Sequence, residues 1–195
     1  MVSVLTVSML ITPLIVYAKP TVEDVDFRIE IWPADPAVYD WSKFKSFDAG
    51  ESANSKIFKF PVIGVPPLLD EVPTVEDFMA DPFDYLSVTG GFRFTIGNWE
   101  HEGMFVGWAI HINYYADGTH KAIEQYTFTF DDAEESTLEV LSQIDRNGVG
   151  KLVGTKGTGY FEGAKFAGTY DKIEFWYPFG VAFVVLEGEG EIMLK

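Results

Sequence analysis

Glu124 is the side chain in this sequence best placed to do chemistry. It lies in Ala122-Ile123-Glu124-Gln125-Tyr126-Thr127-Phe128-Thr129-Phe130, an alternating run that reads as a β-strand. The strand before it, Phe105 to Tyr114, is joined to it through Ala116-Asp117-Gly118. A two-residue Asp-Gly loop would set Val106, Trp108, Ile110 and Ile112 beside Ile123, Gln125, Thr127 and Thr129, an apolar face against a polar one. A three-residue loop, with Gly118 left-handed in a bulge, instead pairs Trp108 with Tyr126, Val106 with Phe128 and Ile112 with Ala122. A one-residue slip turns a whole strand over, so coincidence of the apolar faces selects the three-residue register.

In that register Glu124 lies opposite Ile110, on an inner face with Trp108, Ile112, Tyr126, Phe128 and Phe130. A carboxylate facing an aromatic interior must find partners or stay protonated. Groups held that way are over-represented at functional sites. The alternative is a hydrated Glu124 at a barrel mouth, or one bonded to a tyrosine such as Tyr114. The candidate ligand-binding set is therefore Trp108, Ile110, Ile112, Tyr114, Glu124, Tyr126 and Phe128, with Glu124 the acid or base if the protein is an enzyme. His111, Asn113, Gln125 and Thr127 fall on the outer face, which makes His111 solvent-facing; the two-residue register would instead pair His111 with Glu124.

Other candidates are weaker. Glu100-His101-Glu102 puts ligand-type side chains in a row, but strand neighbours point to opposite faces, a poor metal arrangement. His120, beside the hairpin loop, is expected to be solvated, and Asp131-Asp132-Ala133-Glu134-Glu135 reads as an acidic turn without the glycine or spacing of an EF-hand. No hydrolase, zinc-protease, P-loop or dinucleotide fingerprint is present. With no cysteine there are no disulfides, thiolate metal sites or cysteine nucleophiles. No metal and no cofactor is expected. A net charge of −16 without a basic cluster repels phosphate backbones and anionic lipids, so nucleic acid is not an expected partner.

The elements that must position these residues are strands. Val25, Phe27, Ile29 and Ile31 alternate with Asp24, Asp26, Arg28 and Glu30. From Pro33 to Asn54 the chain reads as a long loop. Lys56 to Ile63 reads as an edge strand, because Pro61 bars a central place. Thr74, with Asp77 three residues on, caps a short helix to Ala80, which Asp81-Pro82 stops. From Tyr85 strand follows strand, about eight in all with short connections, which argues for an antiparallel barrel or sandwich. Apolar residues at 47%, with 16% aromatic, can supply its core.

Gly157, Gly159, Gly163 and Gly168 stand among aromatic and β-branched residues, as expected of bends that curl a sheet. The segment Leu152 through Gly168 resembles the strand-turn-strand signature of the allene-oxide-cyclase and dirigent-like barrels, and Val181 to Ile192 resembles their closing strand. The resemblance implies an all-β fold, an eight-stranded antiparallel (calycin-like) barrel with an apolar cavity. It implies kinship with a group in which some members are enzymes of small apolar substrates and others guide coupling of phenolic radicals. It covers the frame and not the pocket, so it carries over no catalytic residue.

Residues 1–18 hold no charged side chain and end in Val16-Tyr17-Ala18, as a secretory signal cleaved after Ala18 would, or an N-terminal anchor. Residues 19–195 are then one β-barrel domain, with 33–82 a loop-rich extension containing the short helix. The expectation is a secreted or cell-surface protein without stable membrane insertion once the signal is removed. Its expected function is non-catalytic binding of a small apolar ligand. A cyclase- or isomerase-type enzyme and a filled structural barrel are the alternatives, since eight strands enclose either a solid core or one small ligand. Intact mass of the protein recovered outside the cell should begin at Lys19; the full-length chain in the cytosol would contradict export.

Overall fold

The computed structural model describes residues 19–33, 45–48, 56–81, 90–115, 119–176 and 182–195. The 1–18 segment and the Ala116-Asp117-Gly118 loop lie outside them. Strand β1 (Thr21–Pro33) pairs antiparallel with β10 (Ala182–Leu194) on one side and with β4 (Gly91–Ile96) on the other. From β4 each strand pairs antiparallel with the next: β5 (Trp99–Tyr114), β6 (His120–Phe130), β7 (Thr137–Ile144), β8 (Val149–Gly157), β9 (Lys165–Trp176) and β10. The ring closes as an eight-stranded antiparallel barrel, the expected fold class. Alternation sets the inner face: Val25, Phe27, Ile29 and Ile31 of β1 are buried in the barrel core.

Two further strands, β2 (Lys45–Asp48) and β3 (Lys56–Gly64), extend the wall. The six-residue β4 covers β5 only from Trp99 to Gly103. β3 covers the rest, Phe105 to Tyr114, and meets β1 at Val62 and Ile63. β3 is therefore not the edge strand that Pro61 suggested. β2 pairs with Lys56–Lys59 and β1 with Val62–Ile63, so among the described residues Pro61 has a strand neighbour on one side only, opposite Trp108.

One half of the lumen is packed solid with rings. Phe92 stacks edge-on against Phe128 and Phe130 with centroids 4.8 and 4.7 Å apart, and Phe94 lies 5.6 Å from both Phe27 and Phe166. The glycine run builds the end of this half, but as a turn and not as bends within one strand. Gly157 ends β8, and a 3-10 turn, Gly159–Phe161, follows. Gly159 and Gly163 adopt φ of +57° and +70°. That reversal drives Phe161 into the barrel end, 4.3 Å from Phe130.

Residues 65–81 form a strap on the outer wall. Its helix α1 (Val75–Ala80) has the expected capping box: the Asp77 N–H donates to Thr74 Oγ1 at 3.1 Å, and the Thr74 N–H donates to Asp77 Oδ2 at 3.4 Å. Phe78 packs 5.1 Å from Phe175, in a second core with Phe183 and Val185 on the outer faces of β9 and β10. Glu30 lies beneath the strap, fully buried. The Leu69 N–H donates to both its carboxylate oxygens, at 3.2 and 3.0 Å, Arg28 Nε stands 3.2 Å from it, and the Arg28 guanidinium donates to the Leu69 carbonyl.

Burial pushes the Glu30 carboxyl up to about 7, against the opposing pull of the Leu69 N–H, Arg28 and Arg93. A carboxyl raised in the folded state contributes stability that is fully present below its ordinary value of 4.5 and is lost as pH rises through about 7. Denaturant midpoints should therefore fall between about pH 5 and pH 8 in the wild type. In Glu30→Gln that decline should flatten; an unchanged slope would remove Glu30 as its source.

Candidate functional site

At the other end the lumen changes character, and a bulge decides what faces it. Next to the loop, Tyr114 pairs with His120, Ile112 with Ala122 and His111 with Ile123, as the three-residue register requires. The Tyr115 N–H donates to the Thr119 carbonyl at 2.8 Å, closing a loop of that length. The register then shifts by one at Ile110. Beyond it Ala109 pairs with Glu124, Trp108 with Gln125, Gly107 with Tyr126 and Phe105 with Phe128. Beyond the bulge the pairing is a third register, neither that of the two-residue loop nor that of the three-residue loop, and it turns Val106 and Trp108 to the face of Gln125 and Thr127.

The bulge re-sorts the expected set. Phe105, Gly107 and Ala109 face inward, while Val106, 39% exposed, and Trp108 turn to the outer wall. Size is the reason. A Cβ at residue 107 would stand 2.3 Å from the Gln125 carbonyl oxygen and 2.8 Å from Tyr126 Cδ1, so the inner position opposite Tyr126 admits only glycine. Ile110 is the bulged residue, half-buried, and Ile112 stays inward and buried. Tyr126 and Phe128 lie inward as expected. For His111 and Tyr114 only the backbone pairing is described.

Glu124 also faces inward, half-buried, and its partner is a tyrosine: the Tyr126 hydroxyl donates to Glu124 Oε2. Ser142, the cross-strand neighbour of Glu124, stands 2.5 Å from the Tyr170 hydroxyl. Burial first, and the Glu124 carboxylate second, hold both phenols well above the usual tyrosine range. Tyr126 and Tyr170 are therefore fixed as neutral donors. Tyr170 lies over β8 toward Ser142 of β7 because its β8 neighbour is a glycine: a Cβ at Gly150 would lie 2.0 Å from Tyr170 Cζ.

Nearer the mouth stands a cluster that the sequence reading missed. His120 is not a solvated turn residue; it is the first inward position of β6, with its side chain 11% exposed. Lys172 Nζ lies 2.5 Å from His120 Nε2 and 2.5 Å from Glu174 Oε1. Burial, and then Lys172, hold the imidazole below its usual range against the pull of Glu174. Counting His120 in phase with Ala122, Glu124 and Tyr126 would have placed it inward. Lys172 and Glu174 were hidden because Ile173 and Phe175 form the more apolar face of β9, yet that face points outward beneath the strap.

The Glu100-His101-Glu102 side chains do not converge. Arg93 Nε donates to Glu102 Oε1 at 2.7 Å, Glu100 stands 3.8 Å from Arg93, and the His101 ring packs 5.9 Å from Phe130. On the outer wall, a shallow groove of about 750 Å³ runs past Asp26, Lys151, Ala167, Gly168 and Gly190, away from the mouth cluster.

Fold and site together define a closed antiparallel β-barrel with a phenylalanine floor and a polar mouth that solvent reaches. No family model matches this chain, and no curated protein does. Among solved structures the chain is similar to the pterocarpan synthase dirigent protein GePTS1, at 13% identity and a TM-score of 0.43, over 99% of each chain. The strand order, and not this likeness, carries the fold.

Ser142→Ala removes the partner of a buried phenol and should destabilise by about 1–3 kcal/mol in denaturant unfolding. Thr137→Ala, which loses only an exposed hydroxyl contact with Thr158, should stay within about 0.5 kcal/mol. Equal effects would contradict the buried network.

Proposed function

We propose that the barrel binds a small, largely apolar molecule at its mouth half and does no chemistry on it. One observation carries this reading: a single lumen has one half filled by phenylalanine and another lined by polar groups that remain partly exposed. Ligand sites are mostly apolar, with a few placed polar groups that fix orientation. Ile112, Ala122, Ile144 and Val184 supply apolar wall beside the mouth, and Glu124, held by Tyr126, supplies a polar handle. The chain acts as a secreted or cell-surface protein. The glycine motif's resemblance to allene-oxide-cyclase and dirigent-like barrels agrees with a lumen that holds small apolar molecules.

A second reading, a cyclase- or isomerase-type enzyme, draws on the Glu124–Tyr126 contact, which sets a carboxylate beside a protonated phenol inside the lumen.

N-phenyl-1-naphthylamine, a neutral apolar fluorophore, tests the binding reading. Its emission should rise on mixing, with roughly micromolar affinity, and Glu124→Gln should alter that affinity while the circular dichroism stays that of a β-protein. Trp108, on the outer wall, should not be the quenched reporter. No enhancement with a folded barrel would leave the filled-barrel alternative.

A further inference from the structure

We propose that Lys172 anchors the ligand by donating a hydrogen bond to an oxygen acceptor, and that the ligand is a neutral ketone, ester or ether and not a carboxylate. Lys172 can play this part only if the mouth holds a small apolar molecule, as proposed above. Its position follows from β9, where Tyr170, Lys172 and Glu174 alternate on the inner face. Its side chain is 9% exposed, so water cannot freely solvate the ammonium and other partners must.

An ammonium has three N–H donors and no acceptor. Among the described residues two partners are in place, His120 Nε2 at 2.5 Å and Glu174 Oε1 at 2.5 Å. The third donor is left for a ligand oxygen. His120 acts as an acceptor toward the ammonium, so its ring is neutral, with the proton on Nδ1. It fixes the direction of Nζ without adding charge.

Charge then selects the class of oxygen. Lys172 is already matched by Glu174, and Glu124 is a further carboxyl of the lumen, while Arg146 lies at the rim with its Nε on Thr119 Oγ1 at 2.9 Å and its guanidinium over the Tyr115 ring. A ligand carboxylate on Lys172 would stand among the carboxyls of Glu124 and Glu174, where among the described inward residues the ammonium already serves Glu174. In a partly desolvated site that repulsion is far stronger than in water. A neutral acceptor gains the hydrogen bond without the repulsion.

The test uses cis-parinaric acid and its methyl ester, which share a hydrocarbon body, with N-phenyl-1-naphthylamine as the probe that lacks an oxygen. The wild type should bind the ester about tenfold tighter than the acid. Lys172→Met should weaken the ester about tenfold and leave N-phenyl-1-naphthylamine within about twofold. Lys172→Arg should keep the ester. The double variant Lys172→Met/Glu174→Gln holds the mouth's net charge constant and should behave as the single one, which guards against a misfolded Lys172→Met. Acid binding equal to or tighter than ester binding would overturn the proposal. So would a Lys172→Met variant that loses both neutral probes alike, the mark of a structural lysine, or one that loses neither. Failure of N-phenyl-1-naphthylamine to bind the wild type would instead remove the binding reading beneath it.

Discussion

An eight-stranded barrel encloses an interior barely wider than the side chains that fill it, and in this chain large rings must lie across it. Several of them lie over wall positions that have no Cβ. Gly103 lies under Phe92, Gly107 under Tyr126, Gly150 under Tyr170 and Gly168 under Phe27. Each pairing exchanges strand propensity at a glycine for a buried ring that lies over it from a nearby strand. Eight phenylalanines fill the described core, Phe161 among them, brought in by the turn after β8. Toward the mouth the rings become tyrosines, and their hydroxyls require partners. Ser142 and Glu124 are those partners, so the polar half of the lumen follows from how the apolar half is filled.

Much of this was legible in the alternation of residues. The period-two pattern from Val25 to Ile31, the Thr74 cap and the loop-proximal register of the hairpin all follow from local rules, and the structure has them as expected. The inward Glu124 with a tyrosine partner was legible too, although the partner is Tyr126 and not Tyr114. The bulge at Ile110 was not. Val106-Trp108-Ile110 is the more apolar face of β5, and local pattern alone turns it inward. At Gly107 it is the close approach of another strand, whose Gln125 carbonyl and Tyr126 ring leave no room for a Cβ, that local pattern does not show. His120 and Lys172 are 52 residues apart, so no local window shows that they meet.

The outer wall explains the other misleading signal. Ile173, Phe175, Phe183 and Val185 are apolar because the strap covers them, and a strand covered on both faces loses the clean alternation of a half-exposed one. The strap's backbone also accounts for a charge with no access to water. Glu30 takes the Leu69 N–H, and Arg28 takes the Leu69 carbonyl, so the pair satisfies the strap's backbone at Leu69. Charges on the outside of the wall thus hold the covering segment, while those on the inside define the mouth.

The central claim is the division of one lumen into a solid half and a receptive half. A crystal structure at a resolution that places ordered water tests it most directly. The account predicts water or a bound small molecule among Glu124, His120 and Lys172, and none among Phe27, Phe94, Phe128 and Phe166. A mouth filled by the protein's own side chains, or Glu124 and Lys172 turned outward to bulk solvent, would contradict it.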